Sequence, residues 1–193
     1  MTDIEVFVVV DVAAWREWLV AHDDESDGVW LALAKKGVTE PTSLVYQEAL
    51  EEALCSGWID GQKRSNDEAT FLQRFTPRRK RSMWSARNVE IVERLIADAR
   101  MRARGQIEID AAQSDGRWNR AYAGAATAEV PDDLVAALAA AGPTAVETFA
   151  TANANNRYAV LHRLMTATTA ETRAARLDRL VAQFARGERP HPQ

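Results

Sequence analysis

A thiol, a carboxylate and a run of arginines are the groups of this chain whose types and spacing can do chemistry. Cys55, the single cysteine, stands in Leu54-Cys55-Ser56-Gly57, and Asp60 follows three residues after that glycine. A thiol attacks as thiolate, which a helix N-terminus or a neighbouring cation favours; the C-terminal end of a helix, where the local pattern puts Cys55, disfavours it. Cys55 therefore reads as a buried, inert side chain. Asp60 reads either as a general base or as the partner of an arginine. The third group is the stretch Arg74-Phe75-Thr76-Pro77-Arg78-Arg79-Lys80-Arg81-Ser82-Met83-Trp84-Ser85-Ala86-Arg87-Asn88. Guanidinium forks, an indole face and the N–H groups of a helix start can together hold a phosphate or carboxylate, or stack a base. The same residues equally suit a proline-stiffened surface loop with a core tryptophan and arginine stems lying on apolar surface.

Other chemistries lack their signatures. His22, His162 and His191 are scattered, and there is no HExxH helix, no paired cysteine and no carboxylate-rich calcium loop. Neither a P-loop, a GxGxxG turn nor a GxSxG elbow occurs. No catalytic residue, metal or cofactor is therefore expected, and one cysteine excludes an internal disulfide.

The elements that must position these residues follow from periodicity. Glu5 to Val10 predicts a short strand, and Asp11 caps a helix that turns Trp15, Trp18 and Leu19 inward. Val29 to Lys36 is a nearly continuous apolar strand. Thr42 or Ser43 is expected to cap a helix striped by Tyr46, Ala49, Leu50, Ala53 and Leu54, which Gly57 ends. Trp58 to Arg64 and Ala69 to Thr76 predict a hairpin around Ser65-Asn66-Asp67. Ser85 opens a helix through Ile96, and Gly105 to about Asp115 is the next. Tyr122 to Pro131 is small and polar and reads as a linker, and beyond it every pattern is helical: Leu134 to Ala141, Thr144 to Thr151, about Asn155 to Ala167, and about Ala170 to Arg186. The expected fold class is α+β, an N-terminal domain with a small antiparallel sheet and several helices, followed by an all-helical segment packed on it. The expected boundaries are 1–122 for the domain, 123–130 for a linker, 131–187 for the helical segment and 188–193 for a tail.

At 193 residues and 47% hydrophobic side chains the chain has the make-up of a globular protein and buries roughly 70% of its unfolded surface without metals or crosslinks. The net charge of −4 hides an asymmetry. Residues 1–62 hold 13 acids against three cations, whereas residues 74–104 hold ten cations against three acids. Either the basic stretch makes a local positive field, or the two stretches pair with each other and with solvent. The first residues show no basic leader or cleavable apolar run, and nowhere do 18 apolar residues follow one another, so the expected location is cytoplasmic, with no membrane span.

Several ordered motifs together look familiar. Ala53-Leu54-Cys55-Ser56-Gly57-Trp58-Ile59-Asp60-Gly61, Arg74-Phe75-Thr76-Pro77-Arg78, Trp84-Ser85 with Asn88, and Arg94 to Met101 resemble the bacterial YdeI/OmpD-associated family of bacteriocin-protection proteins. So do Ser114 to Trp118, Asn156-Arg157-Tyr158 and Glu171-Thr172-Arg173, which extends the resemblance over nearly the whole chain. Ser56 stands where the family pattern has a bulky aromatic, and Thr168-Thr169 where it has cations. The resemblance implies a non-enzymatic stress or antimicrobial-peptide-tolerance protein that acts by binding an anionic small molecule, a peptide or a protein. Its candidate surface is Asp60, Arg74, Arg78, Arg79, Trp84, Ser85 and Asn88. Two other readings stand beside it: anion or nucleic-acid binding through residues 74–104, with nucleic acid disfavoured by the acidic composition, and an enzyme using Cys55 or Asp60.

Overall fold

The computed structural model describes residues 5–191. Among them the chain runs β1 (Val6–Phe7), α1 (Val12–His22), β2 (Val29–Ala34), α2 (Tyr46–Cys55), β3 (Trp58–Ser65), β4 (Thr70–Pro77), α3 (Ala86–Ala97), α4 (Ala103–Ser114), α5 (Asp132–Ala141), α6 (Pro143–Ala150), α7 (Ala154–Met165) and α8 (Ala170–Ala185). This is an α+β chain with all its strands in the N-terminal half. It divides into two compact units. The first holds the chain up to Ser82 together with Asn88–Asn119; the second holds Met83–Arg87 and the chain from Arg120 onward.

In the first unit the strands lie in the order β1-β2-β4-β3. The sheet is mixed where an antiparallel one was expected: α1 crosses over between β1 and β2, which returns the chain in the same direction and makes that pair parallel. The β3–β4 hairpin forms where its turn residues predict. The Asp67 carboxylate accepts the Ala69 and Thr70 amides at 2.9 and 2.7 Å. Its other member, β4, then pairs antiparallel with β2. Asp11 caps α1 by accepting the Ala14 amide at 2.9 Å, and Trp15 and Leu19 are fully buried. Trp15 lies 5.7 Å from Phe75 between ring centres and donates its indole N–H to the Ala49 carbonyl, which ties α1 to both sheet and α2.

Helix α2 begins later than its polar residues suggest, with Val45 and not Thr42 or Ser43 at the N-cap. The reason is competition. The Ser43 amide and hydroxyl both donate to the Val10 carbonyl, at 2.9 and 3.2 Å, so this segment is held by the chain before α1. At the other end, Gly57 takes φ +72°, which ends α2 as its position predicts.

The second unit is helical apart from an isolated parallel bridge between Ser85 and Tyr122. Its core is Leu134 and Leu138 of α5, Ala145 and Phe149 of α6, Val160, Leu161 and Leu164 of α7, and Leu180, Val181 and Phe184 of α8. Phe149 and Phe184 meet edge to face at 5.6 Å. Pro143 at the first position of α6 follows Gly142, whose φ of +103° lets the chain reverse between α5 and α6.

Candidate functional site

Much of the basic segment is consumed inside the first unit. Glu52 of α2 is 1% exposed, yet it remains ionised because three arginines converge on it. Arg16 and Arg100 reach one carboxylate oxygen at 2.8 and 2.9 Å, and Arg102 reaches the other at 2.9 Å. Burial alone pushes the carboxyl upward, but the hydrogen bonds from Arg16, Arg102 and Arg100 outweigh it and bring its pKa down to about 2. Glu51 is also held below the ordinary carboxylate range: burial raises it, while hydrogen bonds from Gln47, Arg94 and Arg100 lower it by more. Arg100 bridges both glutamates. Arg104 pairs with Glu108 at 2.6 Å and Asp24 at 3.2 Å. The acidic and basic stretches thus pair with each other through Arg94, Arg100, Arg102 and Arg104. Arg102 Nε also donates to Ser56 Oγ at 2.7 Å, so the small residue at position 56 supplies an acceptor for this arginine.

Within the first unit, Asp60 and Arg74 lie on opposite faces of the sheet. Asp60 lies opposite Phe75 across the β3–β4 ladder, while Arg74 lies opposite Trp30 on β2. Neighbouring residues of a strand point to opposite faces, so Asp60 shares the Phe75 face and Arg74 takes the other. Arg78 is buried just past β4, where its amide donates to the Gly57 carbonyl at 3.0 Å. Asn88 is buried near the start of α3. Trp84 and Ser85 belong to the second unit, where the Trp84 carbonyl accepts the Tyr122 amide at 2.9 Å and the Ala86 amide donates to the Tyr122 carbonyl at 2.8 Å.

Residues 79–82 of the first unit form a short cationic turn. The Arg79 amide donates to Ser82 Oγ and the Ser82 amide to the Arg79 carbonyl, at 3.2 and 2.8 Å. Arg117, itself buried and held by Asp115, fixes the same turn by donating to the Ser82 carbonyl at 2.9 Å. The turn exposes Arg79, Lys80 and Arg81, whose side chains make no ion pair among the described residues.

Asp60 accepts a 2.8 Å hydrogen bond from the Tyr46 hydroxyl. Both line a pocket of about 310 Å³ with Gly61, Lys63, Phe71 and Gln73. Cys55 lies elsewhere: it is fully buried, and burial pushes its thiol upward, away from the thiolate. The Cys55 carbonyl faces Gly105 so closely that a Cβ there would stand 2.2 Å from the oxygen, a spacing that accommodates glycine alone.

The C-terminal motif residues tie helices together. Asn156 is 1% exposed and accepts the His191 amide at 2.8 Å. The Arg157 guanidinium sits 4.7 Å over the Phe149 ring, Tyr158 donates to the Ala123 carbonyl, and Arg173 pairs with Asp133 of α5. Sequence reasoning missed Glu52 and the pocket lysine Lys63. Their signals were faint: a glutamate beside an apolar helical stripe, and a cation inside a strand.

Two family models match the chain. Residues 7–108 match a domain of unknown function, DUF8412, and residues 127–187 match the family described as bacteriocin-protection, YdeI or OmpD-associated. The resemblance read over nearly the whole chain is therefore matched over its helical C-terminal part, while the motifs between Ala53 and Met101 fall in the other match. No curated protein and no solved structure matches the chain.

Proposed function

The chain belongs to the DUF8412 family and resembles the bacteriocin-protection, YdeI or OmpD-associated proteins over residues 127–187, and from that premise we propose that it serves tolerance to bacteriocins or antimicrobial peptides by binding an anionic ligand. The observation that carries the anionic part is the Arg79-Lys80-Arg81 turn. It keeps three exposed cations outside the ion-pair network that absorbs Arg94, Arg100, Arg102 and Arg104. Two backbone and hydroxyl hydrogen bonds and the Arg117 donation hold the turn in place, so little ordering is needed on binding. We assign the protein a non-enzymatic role in the cytoplasm. Cys55 is buried with its thiol pushed upward, which speaks against thiol chemistry.

The test is a tryptophan-fluorescence titration with inorganic phosphate, a short single-stranded DNA and a cationic peptide, using the parent and an Arg79→Glu/Arg81→Glu variant. Saturable binding of an anion is expected, with the DNA probe losing about twenty-fold in affinity over a four-fold rise in salt if three cations are engaged. The folded variant should lose the DNA response, and cells carrying it should lose any protection the parent confers in a bacteriocin-killing assay. A DNA response that is absent, or equal in the two proteins, would return the turn to a structural role.

A further inference from the structure

Three lysines and a carboxylate define a second candidate site, on the first unit, that shares no residue with the Arg79–Arg81 turn. A pocket of about 600 Å³ is lined by Ala34, Lys35, Lys36, Lys63, Arg64, Ser65 and Phe71. It adjoins the smaller pocket that holds Tyr46 and Asp60, because both are lined by Lys63 and Phe71. The sheet brings these groups together from distant sequence. Phe71 of β4 is opposite Leu33 on one side and Ser65 on the other. The lysines thus arrive from the end of β2 and from β3, with β4 between them.

The charge of the trough runs from one end to the other. At the wide end, Lys35, Lys36 and Lys63 are exposed and make no ion pair among the described residues. Lys35 donates to the Asp67 carbonyl at 2.6 Å, and the Lys63 ammonium lies 4.2 Å over the Phe71 ring. Arg64 lines this end too, but its guanidinium is placed 4.7 Å over Trp30. Asp67, whose backbone carbonyl accepts from Lys35, spends its carboxylate on the hairpin amides and the Thr70 hydroxyl. At the narrow end, Asp60 accepts from the Tyr46 hydroxyl, and buried Gln73 donates to the Gly61 carbonyl at 2.9 Å. A molecule spanning the trough therefore needs an anionic group at one end and hydrogen-bond donors at the other. Three ammonium groups suit a doubly charged anion better than a single carboxylate, and an unsaturated carboxylate acceptor selects hydroxyls. We propose that this trough binds a small hydroxyl-bearing phosphate ester, its phosphate on Lys35, Lys36 and Lys63 and its hydroxyls toward Asp60. The volume falls within the range of small-molecule sites.

The competing explanation for Lys63 is that a cation on an edge strand keeps β3 from pairing with other chains. The two are separable by amide NMR of the full chain titrated with inorganic phosphate, ribose 5-phosphate and adenosine monophosphate. Both esters should give saturable shifts at Lys63, Phe71 and Gln73, and inorganic phosphate weaker ones. A Lys36→Glu/Lys63→Glu variant, which still carries charge on the edge strand, should lose at least ten-fold in affinity, whereas Arg79→Glu/Arg81→Glu should bind the esters as the parent does. Asp60→Asn should weaken the esters and leave inorganic phosphate unchanged. Absence of saturable shifts with either ester, or equal affinity in the lysine variant, overturns the site and leaves edge protection as the role of Lys63. Ester binding untouched by Asp60→Asn overturns the hydroxyl end of the assignment.

Discussion

Glu52 is the residue on which the first unit's electrostatics turn. A carboxylate taken out of water is stable only when its oxygens are paired, and here both are. Its pKa falls from 4.5 to about 2 on folding. A depressed carboxyl contributes stability that is complete above its unfolded pKa and disappears as pH falls through the folded one. About 3 kcal/mol should therefore be lost between roughly pH 4.5 and pH 2. Glu52→Gln should cost a similar amount at neutral pH and flatten this part of the acid profile, which urea denaturation across that range measures. Sequence could not announce this role. Glu52 lies one place off the Ala49, Leu50, Ala53 stripe, where a glutamate reads as solvated, and its arginines arrive from α1 and from the segment between α3 and α4. Asp60 was legible as a polar group in a corner, but the sheet's alternation separates it from Arg74, and pairing register is a long-range property.

At the scale of elements, helix periodicity carried far. The patterns beyond residue 130 place α5 to α8 within a few residues of where they fold, because Leu134, Phe149, Leu161 and Phe184 each repeat at helical spacing into one core. Two departures come from tertiary context that local pattern does not carry. Thr42 and Ser43 are drawn to Val10 before they can cap α2, and β1 pairs parallel with β2 because α1 intervenes. The exit from α3 shows a local strain that composition hides. Ala99 takes φ +54° while the Arg100 amide closes onto the Leu95 carbonyl at 2.9 Å, a left-handed helix stop normally given to glycine. Ala99→Gly should relieve it and stabilise the protein by about 0.5–1 kcal/mol, read as a higher midpoint in urea with an unchanged slope.

Across the whole molecule, the opposite charges of residues 1–62 and 74–104 find each other within a single unit. That resolves the choice left open by composition for four of the ten cations. The second unit relies instead on apolar packing, with Phe184 fully buried against Phe149. Phe184→Ala should cost about 3–5 kcal/mol and appear in hydrogen exchange as lost protection across α5, α6, α7 and α8. The assignment of Met83–Arg87 to that second unit has a bearing on how such a protein can be cut and recombined. The strand-like bridge from Ser85 to Tyr122 means that a gene cassette starting near residue 120 leaves part of its own wall behind in the donor, and arrives at a new host missing Trp84.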